Sequence, residues 1–184
     1  RLAVTQRPVR ITASDGEKVY DGYAVSPDEP YYTVGGYGIA DGQREEVRTI
    51  YTPIIRAGSI QHYIDSVTIY DDSGRDVTHN YLITEVSGTL TVTPRPLTLT
   101  SDDLSKMYDG TPLTGADGGE AGVTAKYGYT DGIDIGGYGL ATGERGDSMT
   151  VTFIGSVTHV DESGNSLNTF VVSVTHSGLY TNSL

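Results

Sequence analysis

The chain is 184 residues long, 36% hydrophobic, and carries 24 acidic against 12 basic side chains, for a formal charge of −12. Such a charge repels phosphate backbones and anionic lipid, so nucleic acid and the membrane surface are excluded as expected partners, and no apolar run is long enough for membrane insertion. The absence of cysteine removes disulfides, thiolate nucleophiles, iron–sulfur clusters and cysteine-held zinc together.

Thr (24), Val (17) and Ile (12) outnumber Leu (11) and Ala (9). Branching at Cβ crowds a helix and fits a pleated strand, so the expected fold class is all-β. Period-two alternation places strands at 9–13, 17–20, 31–34, 47–52, 66–70, 81–86 and 89–93. Further along it places them at 97–100, 106–108, 124–129, 149–154 and 169–175. Asp-Gly and Ser-Gly pairs between these runs accept the positive φ that tight hairpin turns require. One stretch is ambiguous, because Val47, Ile50, Tyr51 and Ile54 fall at helical spacing. The alternating counterpart at 148–155 and the presence of Pro53 decide for a strand.

That counterpart belongs to an internal repeat. Residues 4–22, VTQRPVRITASDGEKVYDG, match residues 92–110, VTPRPLTLTSDDLSKMYDG, at ten of nineteen positions with a spacing of 88. GGYGIADGQR (35–44) returns as GGYGLATGER (136–145), and GSIQH (58–62) as GSVTH (155–159). Ordered blocks of this kind mark a duplication. The second copy carries 13 extra residues within the Gly-rich stretch 111–135, and the first is four residues longer between its second and third blocks. Both places are expected to be loops or hairpin tips. LAVT at 2–5 resembles LTVT at 90–93 and reads as the last strand of a preceding unit, so 1–6 is taken as a remnant. Modules at 7–93 and 94–184 follow, the second expected to lack its final strands. The Thr93-Pro94-Arg95-Pro96 link is stiff and extended and is expected to hold neighbouring modules nearly end to end.

The KVYDG and KMYDG blocks, the GGYG block and the strand-closing GTLTVTPRPLTLT resemble the MBG/YDG repeats, glycine-rich, mostly-β modules found in tandem in bacterial surface proteins and adhesins. The resemblance covers nearly the whole chain in two copies. It implies extracellular display at a bacterial cell surface and a non-catalytic role as stalk or adhesive module. It supplies no catalytic residue and no cofactor. Each module is expected to be an Ig-like β-sandwich; a β-grasp is the alternative, against which stands the lack of a convincing helix.

Each candidate site has a plain folding role beside its functional one. The triplets Tyr20-Asp21-Gly22 and Tyr108-Asp109-Gly110 are read as a packed tyrosine followed by a turn, because a repeat must re-specify its own fold. Lys18 and Lys106 occupy equivalent positions, where a solvated strand-edge lysine outweighs an isopeptide cross-link. Arg145-Gly146-Asp147 is present in one copy alone and is taken as accidental. Asp71-Asp72-Ser73-Gly74-Arg75-Asp76 is oxygen-rich but lacks the spacing of a twelve-residue calcium loop, so an acidic hairpin turn is expected. No zinc spacing, nucleophile elbow or phosphate loop occurs, and an enzyme is not expected. Tyrosines are the best candidates for contact with glycans or proteins: Tyr31, Tyr32 and Tyr37 in the first copy, and Tyr127, Tyr129 and Tyr138 in the second. A carbohydrate-binding module of a secreted enzyme is the second functional reading.

Overall fold

The computed structural model describes residues 1–101, 103–115, 124–125, 129–130, 133–137, 140–141, 149–162, 170–174, 178 and 180–183. The protein is all-β, and no helix of seven or more residues occurs among the described residues. The chain divides into two compact units, the first made of Arg1–Lys18 and Ala24–Thr93, the second of Val19–Tyr23 and Pro94–Leu184.

The first unit opens with β1 (Arg7–Ala13), β2 (Gly16–Val19), β3 (Tyr32–Gly36) and β4 (Arg44–Ile50). It continues with the long β5 (Gly58–Tyr70), a 3-10 turn at Thr78–Asn80, β6 (Tyr81–Val86) and β7 (Gly88–Thr93). These strands form a three-stranded sheet, β3-β1-β6, and a four-stranded sheet, β2-β7-β5-β4. Alternation determines which side of each strand is buried. Val9, Ile11 and Ala13 of β1 are buried while Arg10 is exposed, and Leu90 and Val92 of β7 are buried between half-buried threonines. Val9, Ile11, Ile69 and Tyr81 form one core cluster, with Tyr32, Val34, Val47, Val67 and Ile83 packed around it.

β5 is longer than the alternation at 66–70 predicts because it serves two partners. Its C-terminal part pairs with β4 and its first five residues pair with β7. β5 lies between β7 and β4 in the sheet, and a register shift between Arg48 and Thr49, with Asp65 the extra residue on β5, interrupts the β4 ladder. Where β1 ends, three strands come unusually close. The His62 ring, fully buried, donates through Nδ1 to the Ser14 carbonyl at 2.8 Å, since a carbonyl can only accept. The Asp15 carboxylate accepts from the Thr89 amide at 2.7 Å. Opposite His62 in the ladder stands Gly88.

The second unit contains β8 (Arg95–Ser101), β9 (Leu113–Thr114), β10 (Thr124–Ala125), β11 (Tyr129–Thr130) and β12 (Ile133–Gly137). β13 (Met149–Phe153), β14 (Ser156–Val157), a 3-10 turn at Val160–Glu162, β15 (Phe170–Val174) and β16 (Tyr180–Ser183) follow. Its sheets are β11-β12-β8-β16, β10-β13-β15 and β14-β9. Two ladders repeat those of the first unit. β8 pairs antiparallel with β12, Leu97 opposite Gly137 and Leu99 opposite Ile135, as β1 pairs with β3, Val9 opposite Gly36 and Ile11 opposite Val34. β8 also pairs parallel with β16, Arg95 opposite Tyr180, as β1 pairs with β6, Arg7 opposite Tyr81.

That register identifies Tyr180 as the counterpart of Tyr81, and the two hydroxyls do the same work. Tyr81 accepts from the Ala40 amide at 3.0 Å and donates to Gln43 Oε1 at 2.7 Å; Tyr180 accepts from the Ala141 amide at 2.9 Å. Tyr81 thereby ties Ala40 to β6, and Tyr180 ties Ala141 to β16. Tyr81→Phe is expected to leave the Ala40 amide without this acceptor and to cost about 1–3 kcal/mol, read in a urea melt as a lower midpoint at unchanged slope.

Two further sequence expectations differ from the structure. Residues 106–108 are not a strand: β2 is a strand because β7 pairs with it, and among the described residues of the second unit no strand pairs with 106–108. The stretch 124–129 is divided between β10 and β11, which join different sheets. The insertion at 111–135 holds β9, β10, β11 and the start of β12, and the antiparallel pair of β11 with β12 agrees with the expected hairpin there.

Candidate functional site

The Tyr-Asp-Gly triplets build the same turn twice. Asp21 Oδ1 accepts from the Tyr23 amide at 2.9 Å and Asp109 Oδ1 from the Thr111 amide at 2.9 Å, while Gly22 and Gly110 take φ of 86° and 81°. This is an Asx turn, in which the carboxylate replaces a backbone acceptor and glycine supplies the left-handed residue. The lysine before each triplet supports it. Lys106 Nζ lies 3.0 Å from Asp109 Oδ1 and donates to Thr111 Oγ1 at 2.6 Å and to the Pro112 carbonyl at 3.1 Å; Lys18 Nζ donates to the Ala24 carbonyl at 3.1 Å.

The tyrosines of the two triplets part company. Tyr20 is buried in the second unit, where its ring meets that of Tyr180 edge-on at 5.8 Å and its carbonyl accepts from Arg95 Nη1 at 3.0 Å. Tyr108 is 58% exposed and stacks on His159 at 6.2 Å. The expected packing of the triplet tyrosine on the sheet therefore holds for Tyr20 and is corrected for Tyr108.

Hydrogen bonds from the Thr111 amide and hydroxyl, then Lys106, lower the Asp109 carboxyl from 3.8 to about 2. A carboxyl whose folded value is depressed favours the folded state above its unfolded value and loses that contribution as pH falls. Asp71, Asp76 and Glu162 are lowered as well, each chiefly by hydrogen bonds from nearby backbone or side-chain groups. The melting temperature is thus expected to fall as pH drops from above 4.5 toward 2, and Asp109→Asn is expected to flatten that slope. Thermal melts across the range check this; identical slopes for variant and parent would reject it.

Among the described residues, the tyrosine candidates of the first copy do not form a single platform. Tyr31 precedes β3 and Tyr37 follows it, so an extended five-residue strand separates them by roughly 17–20 Å. Tyr31 is exposed and donates to Glu29 Oε1 at 2.8 Å; this bond to a carboxylate raises its pKa. Tyr32 is a packing residue, half-buried against the core cluster, and burial is the main reason its pKa is raised, with Glu45 adding to it. Tyr37 is 71% exposed at a loop tip between Gly36 and Gly38, with φ of 74° and 65°. Arg7 holds that tip, its guanidinium 6.0 Å from the Tyr37 ring centre, donating to the Gly38 carbonyl at 2.9 Å and also to the Tyr37 carbonyl. Tyr129 begins β11 opposite Asp134. Tyr127, Tyr138 and Arg145-Gly146-Asp147 lie outside the described residues.

Sequence reading missed one exposed apolar pair. Ile50 and Tyr63 stand opposite each other at the end of the β4–β5 ladder, and both are about half exposed. Strand alternation could have found Tyr63, because its neighbour His62 faces inward.

The acidic turn lines an open cleft of about 610 Å³ bounded by Gly42, Gln43, Arg44 and residues 71–74. Its most engaged carboxylate is Asp71, whose Oδ1 accepts from the Ser73 and Arg75 amides at 2.9 and 3.0 Å, and whose Oδ2 meets Arg75 at 2.8 Å. Both oxygens thus serve the turn. Gly74, at φ 76°, closes the reverse turn with its amide on the Asp71 carbonyl. No group of three or more His, Asp or Glu placed to hold a metal occurs among the described residues.

No family model, no curated protein and no solved structure matches the chain.

Proposed function

We propose that the chain is a non-catalytic tandem-repeat segment of a bacterial cell-surface protein, an MBG/YDG-like pair acting as stalk or adhesion module. One observation carries this reading: both units are built on the same central ladders, β1 with β3 and β6, β8 with β12 and β16, in equivalent registers. Repeating a whole structural unit lengthens a protein and multiplies weak contacts, which suits a spacer or a multivalent binder. The use of the recurring polar groups also supports it, because Asp21, Asp109 and Asp71 are engaged in turns. The two sheets of the first unit agree with the finer reading of an Ig-like sandwich. Small-angle scattering tests the stalk: an elongated particle is expected, and a compact one would reject it.

The exposed rings of Tyr31, Tyr37 and Tyr63 favour a second reading, a carbohydrate-binding module of a secreted enzyme. Glycan-array binding that is lost on Tyr37→Ala would support it, and the absence of binding to any glycan would favour the stalk.

A further inference from the structure

β4 is an edge strand. It pairs with β5 on one side, and among the described residues no strand pairs with its other side. The direction of its backbone groups follows from β5. Opposed residues of an antiparallel pair either exchange both hydrogen bonds or turn both groups away from each other. Ile69 turns away: its amide donates to Thr78 Oγ1 at 2.9 Å and its carbonyl accepts from the Val77 amide at 2.8 Å. Glu45, opposite Ile69, therefore points its amide and carbonyl at the open edge, and alternation along β4 adds those of Val47 and Thr49. The second unit fills the matching edge from within. β13 follows the second Gly-Gly-Tyr-Gly block as β4 follows the first, and it pairs antiparallel with β15 on one side and with β10 on the other. β10 lies in the stretch by which the second copy is 13 residues longer, and the first copy places no such strand beside β4.

The exposed side chains of β4 are Arg44, Glu46, Arg48 and Ile50, and this strand complements itself when reversed about Val47. In that register Glu46 of each copy meets Arg48 of the other, Val47 meets Val47, and Glu45 meets Thr49. Residues 45, 47 and 49, whose backbone groups face outward, then oppose one another in hydrogen-bonded pairs. Glu46 and Arg48 fall in the closer, non-hydrogen-bonded pairs, where side chains approach best. A slip of two residues either way sets Glu46 opposite Glu46 or Arg48 opposite Arg48, and like charges directly opposite are destabilising.

We propose that two copies of the chain join edge to edge through β4, antiparallel about a two-fold axis at Val47, so that the four-stranded sheets of two first units continue into each other. About six main-chain hydrogen bonds form across the new ladder. Main-chain pairing supplies the attraction, as in strand addition generally, and the crossed Glu46–Arg48 pairs select the register and the partner. Arg44 of one copy stands opposite Ile50 of the other, and its methylene stem covers part of that half-exposed side chain. The contact is isologous and closes on itself. The charge of −12 per copy opposes it, so the association is weak. The inference stands on the first unit alone and rests neither on display at a cell surface nor on a stalk.

Sedimentation equilibrium of the full chain from about 1 μM to about 1 mM tests it, with Glu46→Arg and Arg48→Glu measured separately and mixed. The parent is expected to double its mass as concentration rises. Each single variant sets like charges opposite each other at both crossed pairs, so it is expected to need about tenfold more protein for the same mass. An equimolar mixture restores both pairs between unlike copies and is expected to associate as the parent does. General repulsion does not imitate this pattern, because Glu46→Arg lowers the net negative charge and Arg48→Glu raises it. Both side chains are exposed, so each variant is expected to melt with the parent in dilute solution. Amide exchange at Glu45, Val47 and Thr49 is expected to slow as the dimer forms. Four results each overturn the proposal: a parent still monomeric at about 1 mM, single variants that associate equally well, a mixture no stronger than its components, or a dimer in which those three amides exchange as in the monomer.

Discussion

Gly88→Ala is expected to be the most damaging small substitution in the first unit. A Cβ at this position would lie 2.3 Å from the Ser14 carbonyl oxygen and 2.6 Å from that of Ala13. Both are backbone atoms at the end of β1, so no side chain can swing aside to make room. The Ser14 carbonyl is also the acceptor for the buried His62 ring, and Thr89 beside Gly88 holds the Asp15 carboxylate. Moving β7 outward therefore loosens the junction of β1, β5 and β7 at once. The expected loss is about 3 kcal/mol or more, which for a unit of this size lowers its melting temperature by roughly 12 °C or more. Calorimetry with the parent alongside measures it, and a shift below roughly 3 °C would show that the close approach is not tight.

Ile69→Ala should come next, through a different cause. Ile69 is fully buried among Val9, Ile11 and Tyr81. Its backbone amide and carbonyl are satisfied independently of the side chain, by Thr78 Oγ1 at 2.9 Å and the Val77 amide at 2.8 Å. Truncation thus removes apolar contact and opens a cavity without disturbing the ladder. The expected cost is about 2–5 kcal/mol, against about 0.5–1.5 kcal/mol for Ile69→Val. Denaturant melts of the two variants check the ratio; equal effects would mean that the core closes over the missing atoms.

Much of the architecture was legible because its causes are local. The alternation RPVRITA and GTLTVT declares β1 and β7, since a pleated strand with one buried face writes period two into the chain. β6 was found at the residues where it occurs. The Asp-Gly turns follow from residues that accept positive φ. β16 was missed, since YTNS has no apolar alternation: it is a strand because β8 offers it a parallel partner. The length of β5 was missed for a related reason, as a second neighbour extends it. Among the candidates, Tyr32 was grouped with Tyr31 and Tyr37 by proximity in sequence, although its position on β3 turns it toward the core.

By itself, the amino-acid sequence determined the all-β class, the repeat and the turn chemistry of the Tyr-Asp-Gly triplets, because propensity, alternation and hydrogen bonds two residues apart act within a few residues of chain. The tertiary structure alone decided that Tyr20 is buried and Tyr108 exposed, and that 16–19 is a strand and 106–108 is not. Nearly identical words take different forms there because burial and ladder pairing depend on which distant strand arrives alongside. That partner is contributed from some seventy residues away in the first unit, and no local pattern encodes its presence.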